Sequence, residues 1–318
     1  MTRRKLILDV DTGTDDAVAI MCAALHPALD LIGVTTVNGN VTVDHCTDNT
    51  LRVLDFIGRS DIPVYEGLAR PIARPDFPIP RALKKNTGVH GTALDVPEAR
   101  SRKQDKGAVE YLIETYRAAT DEITLVPTGP LSNIAAAIAL DPKFVERVPE
   151  LVLMGGAHHH GNVTPSAEMN IWADPDASAS VFAAGFRRLV CVPLDATHQA
   201  LVSRQVCEQL KALGTPAGIA ADRFIGRRIG AYDANQPMKE QGAAPVHDAL
   251  NIAYLVDPSV ITTEFLHVAV ETQGALTVGR TVVDTNRRGD GKPNCHFAFG
   301  ADRAKFCAFL LETLARTA

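Results

Sequence analysis

The chain has 318 residues, enough for one large domain or two modest ones, with 46% apolar and 22% charged residues. A net charge of −5 and a pI near 6.1 exclude a strongly basic face, and with it nucleic acid or an anionic membrane as the expected partner. No apolar run reaches the ~20 residues of a membrane span, and the run after Arg3-Arg4-Lys5 stops at Asp9, too soon for a signal peptide.

Short runs rich in Val, Ile and Leu predict strands over Lys5–Leu8, Leu31–Val37, Ile62–Tyr65, Ile123–Pro127, Leu151–Met154 and Leu189–Pro193. Helical patterns lie between them, at Asp15–Leu25, Val43–Ile57, Lys106–Ala119, Leu131–Leu140 and Asp174–Ala184. Such alternation predicts an α/β fold with an open, mostly parallel sheet and helices on both faces. Arg70–His90, with four prolines and the pair Lys84-Lys85, is the expected mobile loop. The last third adds helices over Ser203–Leu213, Ala217–Tyr232 and Ala249–Val256. Strands are expected at Phe265–Glu271 and Ala275–Asp284, then a turn at Arg287–Asn294 and a closing helix at Ala301–Arg316. There is no repeat or linker, so residues 1–318 form one expected domain. Six scattered cysteines without a C-x-x-C pair predict reduced thiols and a cytoplasmic location.

Ligands of such sheets sit beyond the carboxyl ends of the strands. Those ends carry Asp9, Asp11, Asp15 and Asp16, then Asn38 and Asn40, Thr128, Met154, Asp195 and His198. Asp9-Val-Asp11-Thr-Gly13-Thr-Asp15-Asp16 packs four carboxylates into eight residues. Like charges so close need a cation or several donors. Helix capping accounts for Asp15 or Asp16 but not for Asp9 and Asp11. An all-oxygen donor set suits Ca²⁺ or Mg²⁺ rather than Zn²⁺. An EF-hand loop is excluded because Gly13 stands where a third acid is needed. The haloacid-dehalogenase phosphatase motif fails as well, since its threonine would be one residue early.

The loop is similar to the D-x-D-x-G-x-D-D signature of inosine–uridine-preferring nucleoside hydrolases. The resemblance recurs in order at Thr36-Val-Asn-Gly-Asn40, Val126-Pro-Thr-Gly-Pro-Leu-Ser-Asn133, Leu153-Met-Gly-Gly156, Ala167-Glu-Met-Asn-Ile171 and Val246-His-Asp248, spanning roughly residues 5–257. It implies a Rossmann-like core, a dimer or tetramer, and Ca²⁺-dependent cleavage of ribonucleosides by a metal-held water. Position by position, it implies Asp11 as catalytic base and metal ligand, with Asp16, Asp248 and the Thr128 carbonyl completing the metal set. Asp15, Asn40, Met154, Glu168 and Asn170 match positions that bind the sugar or line its pocket. His247 and His90 match histidines near the nucleobase, His247 as the leaving-group acid. Met169 departs from the pattern where several relatives carry an aromatic.

The chemistry agrees with these residue types. An N-riboside departs through an oxocarbenium-like sugar, so a held water, a base and a leaving-group acid all help. His247 is expected to titrate near neutrality, against the alternative of a hydrogen-bonded histidine beside a helix start. His90 has the alternative of a solvated loop histidine. His158-His159-His160 reads as a solvated loop, since three adjacent histidines cannot all face one ion. Tyr232 is placed either in the base pocket or in ordinary packing. Histidine before Asp248 points to nonspecific or pyrimidine-preferring members. The competing functions are a non-catalytic ribose- or nucleoside-binding protein and a metal-dependent phosphohydrolase. The latter wants a phosphate-binding Lys or Arg near the acidic loop, absent from the strand ends.

Overall fold

The computed structural model describes residues 3–76, 90 and 93–318. Strand β1 (Arg4–Val10) sets the plan. Its alternation sends Leu6, Leu8 and Val10 into one buried cluster and Ile7 into another, one on each face of the sheet. Helix α1 (Thr14–Leu25) follows and is buried along its whole length, because Ala17–Leu25 presents apolar side chains all round. The chain continues as β2 (Leu29–Thr36), α2 (Val43–Phe56), β3 (Val64–Glu66), α3 (Ala108–Ala118), β4 (Ile123–Pro127), α4 (Ser132–Leu140), α5 (Phe144–Arg147) and β5 (Leu151–Met154). A short α6 (Met169–Ala173), α7 (Pro175–Ala183) and β6 (Leu189–Val192) complete the alternating part.

The next segment covers the sheet rather than extending it. It comprises α8 (Leu194–Thr197), β7 (Leu201–Ser203), α9 (Arg204–Ala212), α10 (Pro216–Asn235), β8 (Ala243–Pro245) and α11 (His247–Val256). Strands β9 (Ile261–Leu266), β10 (Val268–Val270), β11 (Thr281–Val283) and β12 (Cys295–Ala301) and helix α12 (Arg303–Leu314) close the chain. Side-chain caps start these helices where the residue types predict it. Asp174 accepts from the Ala177 amide at 3.1 Å, Thr215 from Gly218 at 3.0 Å and Asp302 from Lys305 at 3.0 Å.

The main sheet has eight strands in the order β3-β2-β1-β4-β5-β6-β12-β9, all parallel except β9. Helices α1, α2 and α9 to α12 bury one face, and α3, α4, α5 and α7 the other. The strand order reverses direction between β1 and β4, opening a crevice at their carboxyl ends. That crevice receives the acidic loop from β1 and Thr128 from β4.

The alternating two-thirds follows the sequence expectation closely; the last third does not. Cys295–Ala301, read as no element, is a strand between β6 and β9. The expected strand at Phe265–Glu271 is instead two, β9 and β10, broken at His267. Of Ala275–Asp284 only Thr281–Val283 is a strand, pairing Val283 with Val268. His296, Gly300 and the glycine turns obscure the period of these short strands. Residues 77–89 of the expected mobile loop lie outside the described residues. Its first part is tied down, with the Ile72 amide donating to Asp174 at 2.8 Å and Arg74 paired with Asp176.

Candidate active site

The turn from β1 into α1 places its four carboxylates in different surroundings. Asp9 turns away from the crevice and braces it: one oxygen accepts from Thr35 Oγ1 at 2.6 Å and Asn133 Nδ2 at 2.8 Å. Asp11 faces the crevice, its Oδ2 accepting from the Asn40 amide at 2.7 Å. Gly39 is required beside it, since a Cβ there would lie 2.0 Å from that oxygen. Asp16 reaches back to the Gly13 amide at 2.9 Å as a helix-start carboxylate, and also accepts from Thr128 Oγ1 at 2.9 Å and Asn40 Nδ2 at 3.3 Å. Capping therefore explains one oxygen of Asp16 and nothing of Asp11.

These donors do not offset burial. Desolvation, reinforced by neighbouring carboxylates, pushes Asp11 well above the ordinary carboxylate range and Asp16 up to about 7. Asp248, in the first turn of α11, is pushed up by burial and by Asp15, Asp16 and Asp11. The carboxylate oxygens of Asp15, Asp16 and Asp248 lie within 4.8 Å of one another. A cluster of buried acids that costs this much to ionise, built only of oxygen donors, fits a hard divalent cation. The resemblance implies Asp11, Asp16, Thr128 and Asp248 as the metal set; the tight triad holds Asp15 with Asp16 and Asp248.

A second wall comes from β5 and α6. Glu168 caps α6, accepting from the Asn170 amide at 2.9 Å and from Gly156 at 2.9 Å, and burial lifts its carboxyl to about 7. The Asn170 side-chain Nδ2 donates to the Thr128 carbonyl at 2.6 Å and to the Met154 carbonyl at 3.2 Å. These residues, with Asp11, Asp15 and Asn40, line a cavity of about 270 Å³. All the expected sugar-binding positions converge there.

The opposite wall was only partly foreseen. His90 accepts from the Thr14 amide at 3.1 Å through Nδ1, and burial lowers its pKa to about 4, so it is neutral with its proton on Nε2. It is thus held, not a solvated loop histidine. Gly13 makes room for the ring, which a Cβ would meet at 2.0 Å. His247 lies between Tyr232, whose hydroxyl is 2.8 Å from Nε2, and Thr197, whose Oγ1 is 2.7 Å from Nδ1. Burial and the nearby Arg228 charge hold it neutral, well below the ordinary histidine range. This corrects the expectation that His247 titrates near neutrality: burial and the positive charge of Arg228 disfavour its cation. Arg228 and Tyr232 line the cavity from one stripe of α10 at i and i+4, joined by Gln236 at the cap that ends the helix. Arg228 and Gln236 were missed. Their spacing is visible in the sequence, but nothing there says which face of α10 turns inward.

The chain matches the family model "Inosine-uridine preferring nucleoside hydrolase" over residues 6–308. It is 41% identical over 284 residues to the pyrimidine-specific ribonucleoside hydrolase RihB of Escherichia coli strain SE11, covering 89% of this chain and 88% of that one. The chain belongs to the nucleoside hydrolase family. Among solved structures, the purine-preferring ribonucleoside hydrolase from Gardnerella vaginalis superposes with a TM-score of 0.89 at 32% identity, covering 98% of both chains. The plant nucleoside hydrolase PpNRh1 does so with 0.89 at 31%, covering 98% of this chain and 99% of that one. As a nucleoside hydrolase the protein is an N-ribosyl hydrolase. This displaces the phosphohydrolase and the non-catalytic binding protein as readings.

Other polar groups on the rim of this nucleoside hydrolase do not join the cavity wall. Asp195 braces the histidine triplet, accepting from the His158 amide at 2.7 Å and pairing with the exposed His159 ring. His158 packs edge-on to Phe299, and among the described residues the triplet joins no metal-binding group. His198 packs behind His247, with ring centroids 5.7 Å apart.

Proposed function

We propose that this enzyme is a Ca²⁺-dependent, pyrimidine-preferring ribonucleoside hydrolase working as a single-domain subunit of a cytoplasmic dimer or tetramer. The observation that carries the reading is one cavity lined by the acids Asp11, Asp15 and Asp248, by the polar groups Asn40, Glu168 and Asn170, and by Tyr232, His247 and His90. Greater identity to the pyrimidine-specific relative than to the purine-preferring one supports the base preference. Six unpaired cysteines support a reducing compartment. The oligomer rests on the resemblance alone, and sedimentation measures it.

Asp16, Asp248, Asp11 and the Thr128 carbonyl would hold the ion. A divalent cation there neutralises the acids, lowers the pKa of a water and orients it. Asp11 takes a proton from the attacking water as that oxygen bonds to C1′ and the C1′–N bond breaks. Asp15 and Glu168 accept from ribose hydroxyls, while Asn40 and Asn170 orient the ring. The departing base takes a proton from the Tyr232 hydroxyl, which the contact with His247 Nε2 orients, and the proton taken up by Asp11 returns to the tyrosinate through solvent.

Two measurements bear on this arrangement directly. Dense recognition of both ribose hydroxyls makes 2′-deoxyuridine a poor substrate, with kcat/KM at least ~10²-fold below that of uridine; equal values count decisively against it. His247→Ala and Tyr232→Phe each lower kcat more for uridine and inosine than for 4-nitrophenyl riboside, whose leaving group needs no proton. Equal losses on all three would remove the pair as acid. The overall assignment is tested by incubating a ribonucleoside panel and quantifying free base and ribose. Faster release from uridine and cytidine than from inosine is expected, and no release from any member sinks the proposal.

A further inference from the structure

Arg228 is the single lysine or arginine among the described residues lining the cavity, facing four lining carboxylates. It is only 2% exposed, so its charge has left water, and such a cation needs acceptors around it. Its Nε donates to the Pro245 carbonyl at 2.9 Å and its Nη1 to Thr14 Oγ1 at 3.2 Å. Nη1 also lies 2.8 Å from Asp15 Oδ1, yet no donor is aimed at that buried oxygen. The pair is held by charge, which leaves the Asp15 lone pairs to a ligand. On its other side the guanidinium carbon is 5.5 Å from the centroid of the Tyr232 ring.

Arg228 therefore stands between the carboxylate assigned to the sugar and Tyr232 on the wall assigned to the base. We propose that Arg228 is a leaving-group residue, binding the C2 carbonyl oxygen of a pyrimidine and stabilising the negative charge that gathers on N1 and O2. This rests on the ribonucleoside reading above. As the C1′–N1 bond breaks, its electron pair passes to the base, and in a pyrimidine it delocalises onto O2, the base oxygen nearest the sugar. A guanidinium is cationic throughout the working pH range, so it stabilises that charge without transferring a proton. The base then takes its proton from the Tyr232 side or from water, and Arg228 is unchanged.

Arg228→Gln keeps an amide donor and removes the charge, and Arg228→Lys keeps a charge without the planar fork. On uridine, Arg228→Gln is expected to lower kcat by ~10²-fold or more, the cost of removing a donor to a developing anion. Its loss on 4-nitrophenyl riboside, which has no C2 carbonyl, is expected to be at least ~10-fold smaller, and Arg228→Lys recovers part of the uridine loss. Equal losses on the two substrates overturn the proposal, because Arg228 would then act only through Asp15 and the sugar. Should the variants fail to fold, wild-type enzyme decides with 2-thiouridine against 4-thiouridine. Sulfur accepts hydrogen bonds weakly, so 2-thiouridine should be about 10-fold slower in kcat/KM; equal or faster turnover overturns the role. Wild-type uridine is the control: if it is not cleaved at all, the ribonucleoside reading fails instead.

Discussion

Asp11→Asn lowers kcat on uridine by ~10²–10⁴-fold with little change in KM, the range expected when a general base is lost. Asparagine fills the same space and still accepts from the Asn40 amide through its carbonyl oxygen, so the geometry of the crevice survives. What it cannot do is take a proton. Asp11 is suited to that task because burial and the neighbouring Asp16 and Asp15 disfavour its charged form, raising its affinity for a proton well above that of an ordinary carboxylate. Steady-state kinetics across a Ca²⁺ titration separate the two roles given to it. If full activity returns to the variant at saturating Ca²⁺, Asp11 is a ligand and not the base.

Chelation should abolish turnover, and Ca²⁺ should restore it. The same experiment has a stability counterpart. Asp9, Asp16 and Glu168 have folded-state pKa values lifted to about 7, and Asp11 and Asp248 are lifted too. In the unfolded chain all of them ionise near ~4. Between about pH 4 and 7 the unfolded chain therefore binds fewer protons than the fold, and the chelated protein loses stability as pH rises through that window. Ca²⁺ binds the ionised acids, so its stabilisation grows over the same window. At a hundredfold excess over Kd this amounts to ~2.7 kcal/mol, or a rise in Tm of a few degrees for a chain this long. Thermal melts with EDTA or Ca²⁺ at pH 5 and pH 8 check the sign. An increment independent of pH would mean that Asp11, Asp16 and Asp248 are not the ligands.

Much of the site was legible because loop chemistry is local. Four carboxylates within eight residues after a strand point to a candidate cation site before any fold is known, and the polar strand ends point to the rim. The base-facing wall was harder. The sequence leaves Tyr232 between pocket and packing and does not single out Arg228, because a helix such as α10 carries polar residues on more than one face. His247 lines the cavity, and its burial opposes the titration near neutrality that its residue type suggests. Its burial, which fixes its charge, comes from α8, α10 and α11 packing together, and no short stretch of sequence contains that.

The last third of the sheet failed for a related reason. Cys295–Ala301 is a strand because β6 and β9 offer it ladders on both sides, not because its own residues demand extension. The sequence alone determined the alternating architecture, the acidic loop and the polar identity of the strand ends, since period and spacing act over neighbouring residues. Only the tertiary structure decided which side of α10 meets the cavity, which carboxylate pairs with Arg228 and which histidine stays neutral. Those outcomes depend on desolvation and on charges brought together from distant segments, and both exist only once the chain has closed around them.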